Sequence, residues 1–453
     1  MRCHLDLCSI MKNRIRLLIA LIMFCGLRQT AAQVSFATPT SYNVGLSPFF
    51  VLAADVNGDG YLDLVSANSE TTTLTVLTNN GKGVFGSNAT LNVGSQPNGV
   101  LAADIRGDGY LDLISANYGA STLTVLTNNG RGAFGSNATL MVGNGPVDVI
   151  AADINGDGYV DLICANENAA TLTVLTNNGQ GAFGFHATLN VGTDPVSVVA
   201  ADVNGDGYLD LICANDGAAT LTVLTNNGYG VFGSHATLNV GSGPFCVVAA
   251  DVNGDGYLDL ISLNEGSSTI TILTNNGRGV FGSNATLMVG SEPTGVIAAD
   301  INGHGCLDLI SVNYGAKTFT VWTNNGRGIF GSNAPIYVGF QAFYLITADL
   351  TGNGKQDLII ANGNNTLAVF PNSSTFPPPI STPALSISPQ SHGVLVSWPT
   401  TSAGWSLQQS PSLTTSNWLP SGYGGYGIFE NGTNYNLLTT PPIGNLFFRL
   451  FHP

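Results

Sequence analysis

The chain is poor in charge, and in positive charge above all. Charged residues make up 9% of the 453 residues, with 13 lysines and arginines against 28 aspartates and glutamates. Because a nucleic-acid-binding surface needs a basic footprint, this class of partner is excluded. The low charge does not indicate disorder, since 44% of the residues are hydrophobic and 57 are glycines. This composition is typical of a folded β protein with many turns.

Signatures of common enzyme and metal sites are missing as well. The sequence contains no Gly-x-Ser-x-Gly, no His-Glu-x-x-His and no Cys-x-x-Cys, and it has only 6 histidines. We therefore expect the protein not to be an enzyme, and we expect neither a zinc site nor a disulfide framework. Beyond the N-terminus, no segment shows sustained apolar periodicity of the helical kind, so helices are not expected to form the core.

The N-terminal residues 1–32 have the pattern of a secretory signal peptide. Basic residues precede an apolar run from Leu17 to Leu27, and small residues follow at Thr30–Ala32. An uncleaved membrane anchor is the alternative, but eleven apolar residues are short for a bilayer. We expect cleavage, a mature chain that does not insert into the membrane, and a secreted or cell-surface location.

A nine-residue acidic motif is the dominant feature of the rest of the chain. It begins as DVNGDGYLD at Asp55 and returns every 49 residues. The later copies begin at Asp104, Asp153, Asp202, Asp251, Asp300 and Asp349. These seven loops hold 19 of the 28 acidic residues, so the negative charge belongs to the loops rather than to the whole surface.

Each repeat also predicts four strands. Segments in which valine, isoleucine, leucine and threonine alternate with other residues are separated by Gly-Pro and Asn-Gly turns every 8 to 12 residues, which is typical of hairpin-linked strands. Cys164 and Cys213 align with serines of other repeats, which predicts small buried side chains. A tandem array of four-stranded units predicts an all-β fold, a seven-bladed β-propeller, with an open solenoid as the alternative.

The ends of the repeat region predict how the ring closes. The seventh repeat ends after its third strand, near Asn372, while the segment from Phe36 to Val44 aligns with the fourth strand of the first repeat. We expect this N-terminal strand to complete the last blade of a propeller spanning residues 33–372. A proline-rich linker, 373–383, then leads to a small β-sandwich-like module at 384–453.

The acidic loops have the pattern of a calcium site. Loop positions 1, 3, 5 and 9 offer side-chain oxygens, position 7 offers a backbone carbonyl, and glycine at position 6 permits a sharp turn, which suits Ca²⁺. A hairpin turn without metal is the alternative, although a turn needs only one Asp-Gly pair. The predicted ligands in the four intact loops are Asp55, Asn57, Asp59, Tyr61 and Asp63; Asp153, Asn155, Asp157, Tyr159 and Asp161; Asp202, Asn204, Asp206, Tyr208 and Asp210; and Asp251, Asn253, Asp255, Tyr257 and Asp259.

Three loops depart from this pattern. Loop 2 has Arg106 at position 3 and keeps Asp104, Asp108, Tyr110 and Asp112 as predicted ligands, so we expect weaker binding there. Loop 6 has His304 at position 5, and loop 7 has Thr351 and Asn353 at positions 3 and 5. We therefore expect four to five calcium sites, with loops 6 and 7 the least suited to the ion.

The repeated DxNGDGxxD, the Ala-Ala-Asp that leads into it and the recurrent Phe-Gly, such as Phe85-Gly86, resemble FG-GAP/VCBS repeats. That family includes the integrin α-subunit propeller and many secreted bacterial proteins. The resemblance covers about residues 34–372. It implies a seven-bladed propeller with calcium in the loops between the first two strands of each blade, and more loosely a role in adhesion or ligand binding.

These observations together predict a secreted calcium-binding propeller used for binding, for adhesion or as a cell-surface scaffold. We expect a monomer whose partner is an extracellular protein or glycan. On the face opposite the acidic loops lie the residues that differ most between repeats, among them Asp148, Glu167, Asp216, Phe245, Glu265 and Tyr344. They indicate either a partner-binding face or loop tips that vary without a function, and the sequence leaves the binding face open. An extracellular carbohydrate-active enzyme, a lyase or a glycosidase on a propeller fold, is the alternative.

Overall fold

The computed structural model describes residues 34–375, except 333, and seven strands within 386–451. The predicted leader and most of the predicted linker lie outside the described residues. The chain divides into two compact units, Met1–Phe376 and Pro377–Pro453. Within the described residues there is no helix with the length and hydropathy needed to cross a membrane.

The first unit is a seven-bladed β-propeller, as predicted, and each blade is a four-stranded antiparallel sheet except blade 6, whose outer strand is split in two. Strands are numbered in chain order. The first strands of the blades are β2 (Pro48–Ala54), β6 (Pro97–Ala103), β10 (Pro146–Ala152), β14 (Pro195–Ala201), β18 (Pro244–Ala250), β22 (Pro293–Ala299) and β27 (Ala342–Ala348). First strands of neighbouring blades contact one another around the whole ring, so they line its central axis.

The second and third strands form the core. The second strands are β3 (Asp63–Asn68), β7 (Asp112–Asn117), β11 (Asp161–Asn166), β15 (Asp210–Asn215), β19 (Asp259–Asn264), β23 (Asp308–Asn313) and β28 (Asp357–Asn362). The third strands are β4 (Thr73–Asn79), β8 (Thr122–Asn128), β12 (Thr171–Asn177), β16 (Thr220–Asn226), β20 (Thr269–Asn275), β24 (Thr318–Asn324) and β29 (Thr366–Phe370). Every residue of the second strands is buried, because both faces of a blade are covered by its neighbours.

The fourth strands form the outer edge of the ring. They are β5 (Phe85–Asn92), β9 (Phe134–Met141), β13 (Phe183–Asn190), β17 (Phe232–Asn239), β21 (Phe281–Met288) and, in blade 6, the pair β25 (Phe330–Ser332) and β26 (Ile336–Tyr337). Blade 6 has Pro335 where other repeats have threonine. Because proline donates no hydrogen bond to a neighbouring strand, it explains why this strand is split.

The fourth strand of blade 7 comes from the start of the chain. Strand β1 (Thr40–Asn43) pairs antiparallel with β29, with Thr40 opposite Val369. Upstream of it, Phe36 forms a bridge with Asn372, and its ring lies edge-on to Phe319 at 5.4 Å. The first and last segments of the propeller therefore share one sheet, as the alignment of Phe36–Val44 with a fourth strand predicted.

A β-bulge recurs in every first strand. In blade 1, Pro48 lies opposite Asn68 and Phe50 opposite Ala67, so Phe49 has no partner in the register. The same shift occurs in the other six blades. A bulge bends its strand and redirects one side chain. The seven bulged residues are Phe49, Asn98, Val147, Val196, Phe245, Thr294 and Phe343.

Three short 3-10 turns follow second strands: Tyr118–Ala120, Glu167–Ala169 and Asp216–Ala218. Cys164 and Cys213 are fully buried at positions where other blades have serine, as the repeat alignment predicted. In the second unit, β30 (Ser386–Gln390), β31 (Gly393–Pro399), β35 (Asn434–Thr439) and β34 (Ile428–Glu430) form one antiparallel sheet, and β33 (Leu419–Pro420), β32 (Ser406–Ser410) and β36 (Phe447–Phe451) form another. The sandwich arrangement stays a prediction.

Candidate functional site

The seven acidic loops join the first and second strands of their blades and share one face of the ring. In loop 1, the Asp55 carboxylate at position 1 accepts backbone N–H bonds from Gly58 and Gly60, both at 2.8 Å. Gly60, at position 6, has a φ of 88°, the left-handed region that glycine adopts most easily. The predicted sharp turn at position 6 is therefore present.

The aspartate at position 9 is a structural residue in every loop. Asp63 is fully buried, and its carboxylate accepts the N–H of Asn79 at 2.8 Å and that of Val56 at 3.3 Å. Equivalent bonds from the asparagine at the end of the third strand occur in all seven blades, at 2.7–2.9 Å. Positions 1 and 9 thus have a role in the turn itself, which explains why loops 6 and 7 retain aspartate at both positions.

The same asparagines join each blade to the previous one, a role that the sequence reasoning missed. The Asn128 side chain donates to the backbone carbonyl of Val56 in blade 1 at 2.7 Å, and Asn79 donates to that of Leu350 in blade 7 at 2.9 Å. Five equivalent bonds complete the ring. The signal was present in the sequence as the recurrent Thr-Asn-Asn, which predicts a turn but not its tertiary partner.

The tyrosine at position 7 fixes the loop against the turn after the third strand. A Cβ atom added at Gly81 would lie 2.6 Å from the Tyr61 ring, so this turn requires glycine. Tyr110, Tyr159, Tyr208 and Tyr257 meet the equivalent glycines in the same way. The acidic loops and the Asn-Gly turns therefore lie on the same face.

Positions 3 and 5 distinguish the loops chemically. In the intact loops these residues are asparagine and aspartate; the Asp59 carboxylate accepts the N–H of Tyr61 at 3.0 Å and stays solvent-accessible. Burial, followed by repulsion from Asp59 and Asp55, raises the pKa of Asp63 to about 6. Burial also raises the pKa of Asp161, Asp210 and Asp259. Each intact loop thus carries a buried carboxylate next to two further negative charges.

Loop 2 supplies its own positive charge. The Arg106 guanidinium donates to both carboxylate oxygens of Asp112, at 3.1 and 3.0 Å, and lies 3.0 Å from Asp108. It also donates to the backbone carbonyl of Asn128 at 2.7 Å. The hydrogen bonds with Asp112 raise the pKa of Arg106 still further, so the guanidinium remains charged. Two of the ligands predicted for loop 2, Asp108 and Asp112, therefore already have a cationic partner.

Loop 6 also supplies its own positive charge, from His304. His304 Nδ1 lies 3.2 Å from Asp300, and Nε2 lies 2.7 Å from the Asn324 carbonyl and 3.8 Å from Asp308. Because both near neighbours accept hydrogen bonds, both ring nitrogens carry protons and the imidazole is cationic. The hydrogen bond with Asp300 raises the pKa of His304 to about 9.

Arg106 is at position 3 of its loop and His304 at position 5, but both side chains lie between the position-9 carboxylate and the backbone carbonyl that ends the third strand. Asp112 and Asp308 are both position 9, and Asn128 and Asn324 both end a third strand. Among the described residues, Asp300, His304 and Asp308 are the one group whose potential ligand atoms lie within 4.8 Å of one another. The three aspartates of each intact loop do not form such a group, although the position-3 and position-5 side chains are in contact in loop 1, where Asn57 donates to Asp59 at 3.0 Å.

A second candidate site lies on the axis, at the face opposite the acidic loops. The bulges direct first-strand residues into a cavity of about 290 Å³. Aromatic side chains from blades 1, 5 and 7 form one part of its wall: Phe49, Phe50, Phe245 and Tyr344. Carboxylates from blades 3, 4 and 5 form another: Asp148, Glu167, Asp216 and Glu265. The sequence placed most of these residues among the variable loop positions without predicting a cavity.

Comparison with known proteins identifies the repeat. A family model described as an FG-GAP-like repeat matches residues 55–115, 104–164, 153–213, 202–262, 251–311 and 300–360. The chain belongs to this family. The six matches begin at the first six acidic loops, so each FG-GAP-like repeat extends from one blade into the next. No curated protein matches the chain.

Solved structures resemble the FG-GAP propeller in fold alone. BBS1N in complex with ARL6DN has a TM-score of 0.56 at 12% identity, covering 74% of this chain and 96% of that one. Virginiamycin B lyase from Staphylococcus aureus has a TM-score of 0.51 at 13% identity, covering 74% and 99%. A putative 6-phosphogluconolactonase from Bacteroides uniformis has a TM-score of 0.50 at 11% identity, covering 91% and 100%.

Proposed function

We propose that the protein is a secreted binding or adhesion propeller whose ring is stabilised by calcium in loops 1, 3, 4 and 5. The ions have a structural role in this proposal, and the opposite face binds an extracellular partner. Support for secretion comes from the pattern of residues 1–32 in the sequence.

One observation carries the calcium proposal. Where position 3 or 5 is basic, the cationic group of Arg106 or His304 lies between the position-9 carboxylate and the carbonyl that ends the third strand. The four intact loops keep the same carboxylate and the same carbonyl but have no basic residue in the motif. A positive charge is favoured at this place in both types of loop, because it offsets the repulsion around a buried carboxylate.

The donor set favours calcium over other ions. Carboxylate, amide and backbone carbonyl oxygens are hard ligands, and neither cysteine nor histidine occurs in the four intact motifs. Asp55, Asn57, Asp59, Tyr61 and Asp63 would hold the ion in loop 1, with the equivalent residues in the other three. When bound, the ion neutralises the carboxylates and fixes the connection between the first two strands of the blade.

The binding role has weaker but independent support. In the complex of BBS1N with ARL6DN, a propeller of similar fold binds another protein. In this chain the face opposite the acidic loops has a cavity lined by residues that differ between otherwise similar repeats. Such differences are typical of loops that recognise a partner on a rigid scaffold.

Thermal unfolding with and without calcium tests the proposal. At a calcium concentration tenfold above the dissociation constant, each site contributes about 1.4 kcal/mol and four sites about 6 kcal/mol. We expect a chelator to lower the melting temperature by on the order of 10 °C, and added calcium, but not magnesium, to restore it. An unchanged melting temperature in excess chelator would reject the proposal.

A further inference from the structure

The central cavity combines two kinds of wall that favour the same class of ligand. Phe50 and Tyr344 stack at 4.1 Å, and Phe49 lies 6.4 Å from Phe245, which comes from a blade across the axis. The faces and edges of these rings enclose the aromatic side of the cavity. Aromatic faces attract organic cations through their quadrupole.

The other wall is acidic. Asp148 lies on the first strand of blade 3, and its carboxylate is oriented by the N–H of Val198, 2.9 Å away in blade 4. Glu167, Asp216 and Glu265 follow the second strands of three successive blades. In the described part of the chain, neither lysine nor arginine lines this cavity.

These charges are not balanced within the wall. Burial raises the pKa of Asp148 to about 6. Burial and then repulsion from Asp194 and Asp216 raise the pKa of Glu167, and burial followed by repulsion from Asp216 and Glu292 raises that of Glu265. A ligand that brings positive charge would relieve this repulsion.

The spacing of the carboxylates argues against a single metal ion. Among the described residues, no three carboxylates of this cavity have oxygen atoms that all lie within 4.8 Å of one another. Carboxylates that are spread around a cavity can instead surround a larger cation, and the volume is near the lower limit for small-molecule sites.

We propose that this cavity binds an organic ammonium group, such as that of choline or of a lysine side chain, between the phenylalanine wall and Asp148. The inference rests on the proposed role as a binding propeller, but it does not depend on the calcium loops. The inference assigns an ammonium-bearing ligand to the face opposite the acidic loops.

Calorimetric titration in saturating calcium and at low salt tests the inference. The probes are choline and the methyl ester of Nα-acetyl-lysine, whose side-chain ammonium group is free. Each is compared with a neutral control; for choline this is 3,3-dimethylbutanol, which has nearly the same shape. We expect both cations to bind and the neutral alcohol to bind at least tenfold more weakly.

Substitutions in and outside the cavity test whether the probes bind there. Asp148→Asn keeps the shape of the side chain and should weaken choline binding at least tenfold, and Phe49→Leu should weaken it about threefold to tenfold. Glu70→Gln removes an exposed charge on the same face but outside the cavity wall, and should change binding less than twofold. A cooperative melting curve at the temperature of the unmodified protein shows for each variant that the ring is intact, whether or not calcium stabilises it.

Several outcomes would overturn the inference while the calcium proposal stands. These are the absence of cation binding at millimolar concentration, equal binding of the neutral alcohol, or binding that Asp148→Asn leaves unchanged. Binding of neutral oligosaccharides without binding of the ammonium probes would also overturn it, and would favour a glycan partner or a carbohydrate-active enzyme instead. A loss of calcium-dependent stability in the unmodified protein would count against the proposed function alone.

Discussion

Loops 2 and 3 differ at position 3 and position 8, and of the two only loop 2 has a basic residue within the motif. Loop 2 has Arg106, which binds Asp108 and Asp112. Loop 3 has Asn155 at the same position, and its buried carboxylate, Asp161, has a raised pKa caused first by burial. The comparison supports the proposal that the loop favours a positive charge, which a side chain supplies in loop 2 and an ion would supply in loop 3.

The largest expected effect concerns pH in calcium-free protein. The folded-state pKa of Asp63 is about 6, above its ordinary value of 3.8, and those of Asp161, Asp210 and Asp259 are raised too. A carboxyl group with a raised pKa stabilises the folded state when protonated, and this contribution is lost as pH rises through the folded pKa.

We therefore expect calcium-free protein to be more stable at pH 5 than at pH 7, by about 1.4 kcal/mol from Asp63, whose folded pKa lies about one unit above pH 5, and by further contributions of the same sign from Asp161, Asp210 and Asp259. Urea unfolding in buffer passed over a chelating resin measures this difference. The Asp148→Asn variant controls for Asp148, whose raised pKa acts in the same direction. Saturating calcium should reverse the trend, because protons compete with the ion; equal stability at both pH values without calcium would contradict the charge argument.

Matched substitutions at position 5 compare the two loops directly. Asp157→Asn in loop 3 should remove one site and about 1.4 kcal/mol of the calcium-dependent stabilisation, roughly a quarter of the total. Asp108→Asn in loop 2 should leave the calcium-dependent part unchanged, because Arg106 still binds Asp112. Melting curves with calcium and with chelator separate the two contributions. An equal loss in both variants would mean that loop 2 also binds the ion.

The smallest expected effect concerns a buried position of the second strand, which is serine in blade 1 and cysteine in blade 3. In blade 1 the Ser66 hydroxyl donates to the Asn68 side chain at 3.1 Å, whereas in blade 3 Cys164 replaces the serine and the Asn166 side-chain oxygen has no partner. Cys164→Ser should therefore be neutral or stabilising, by at most about 1 kcal/mol.

Cys213→Ser is the control for this substitution. The equivalent oxygen, on Asn215, already accepts the N–H of Gly192 at 3.1 Å, so the new hydroxyl should bring less benefit. Chemical denaturation measures both variants. A loss of more than about 2 kcal/mol for Cys164→Ser would show that the size of the sulfur matters more than the unpaired oxygen.

The sequence predicted the features that depend on local pattern. Strand alternation, the 49-residue spacing and the orphan N-terminal segment were enough for a seven-bladed ring, and Asp-Gly pairs were enough for the turns. The family match and the sheet topology confirm the propeller. These features can be predicted from the sequence because the same short pattern recurs in every repeat, and because each blade can be buried only by its neighbours.

The tertiary contacts of individual side chains could not be predicted in the same way. Arg106 was expected to weaken a metal site, but its position against Asp112 and the Asn128 carbonyl depends on a strand 22 residues further on. The bulge that directs Phe49 into the axis depends on pairing with β3, and the cavity joins residues from all seven blades. Such sites combine positions that are distant in sequence, so no single repeat reveals them.

The central claim is that a calcium ion and a basic side chain are alternatives at the same place in the loop. Counting the calcium ions bound per chain, by equilibrium dialysis followed by elemental analysis, tests this claim most directly when the Arg106→Asn variant is measured beside the unmodified protein. The account predicts four ions for the protein and five for the variant, whose loop 2 then has the intact motif. The same number in both, or no bound calcium in either, would contradict it.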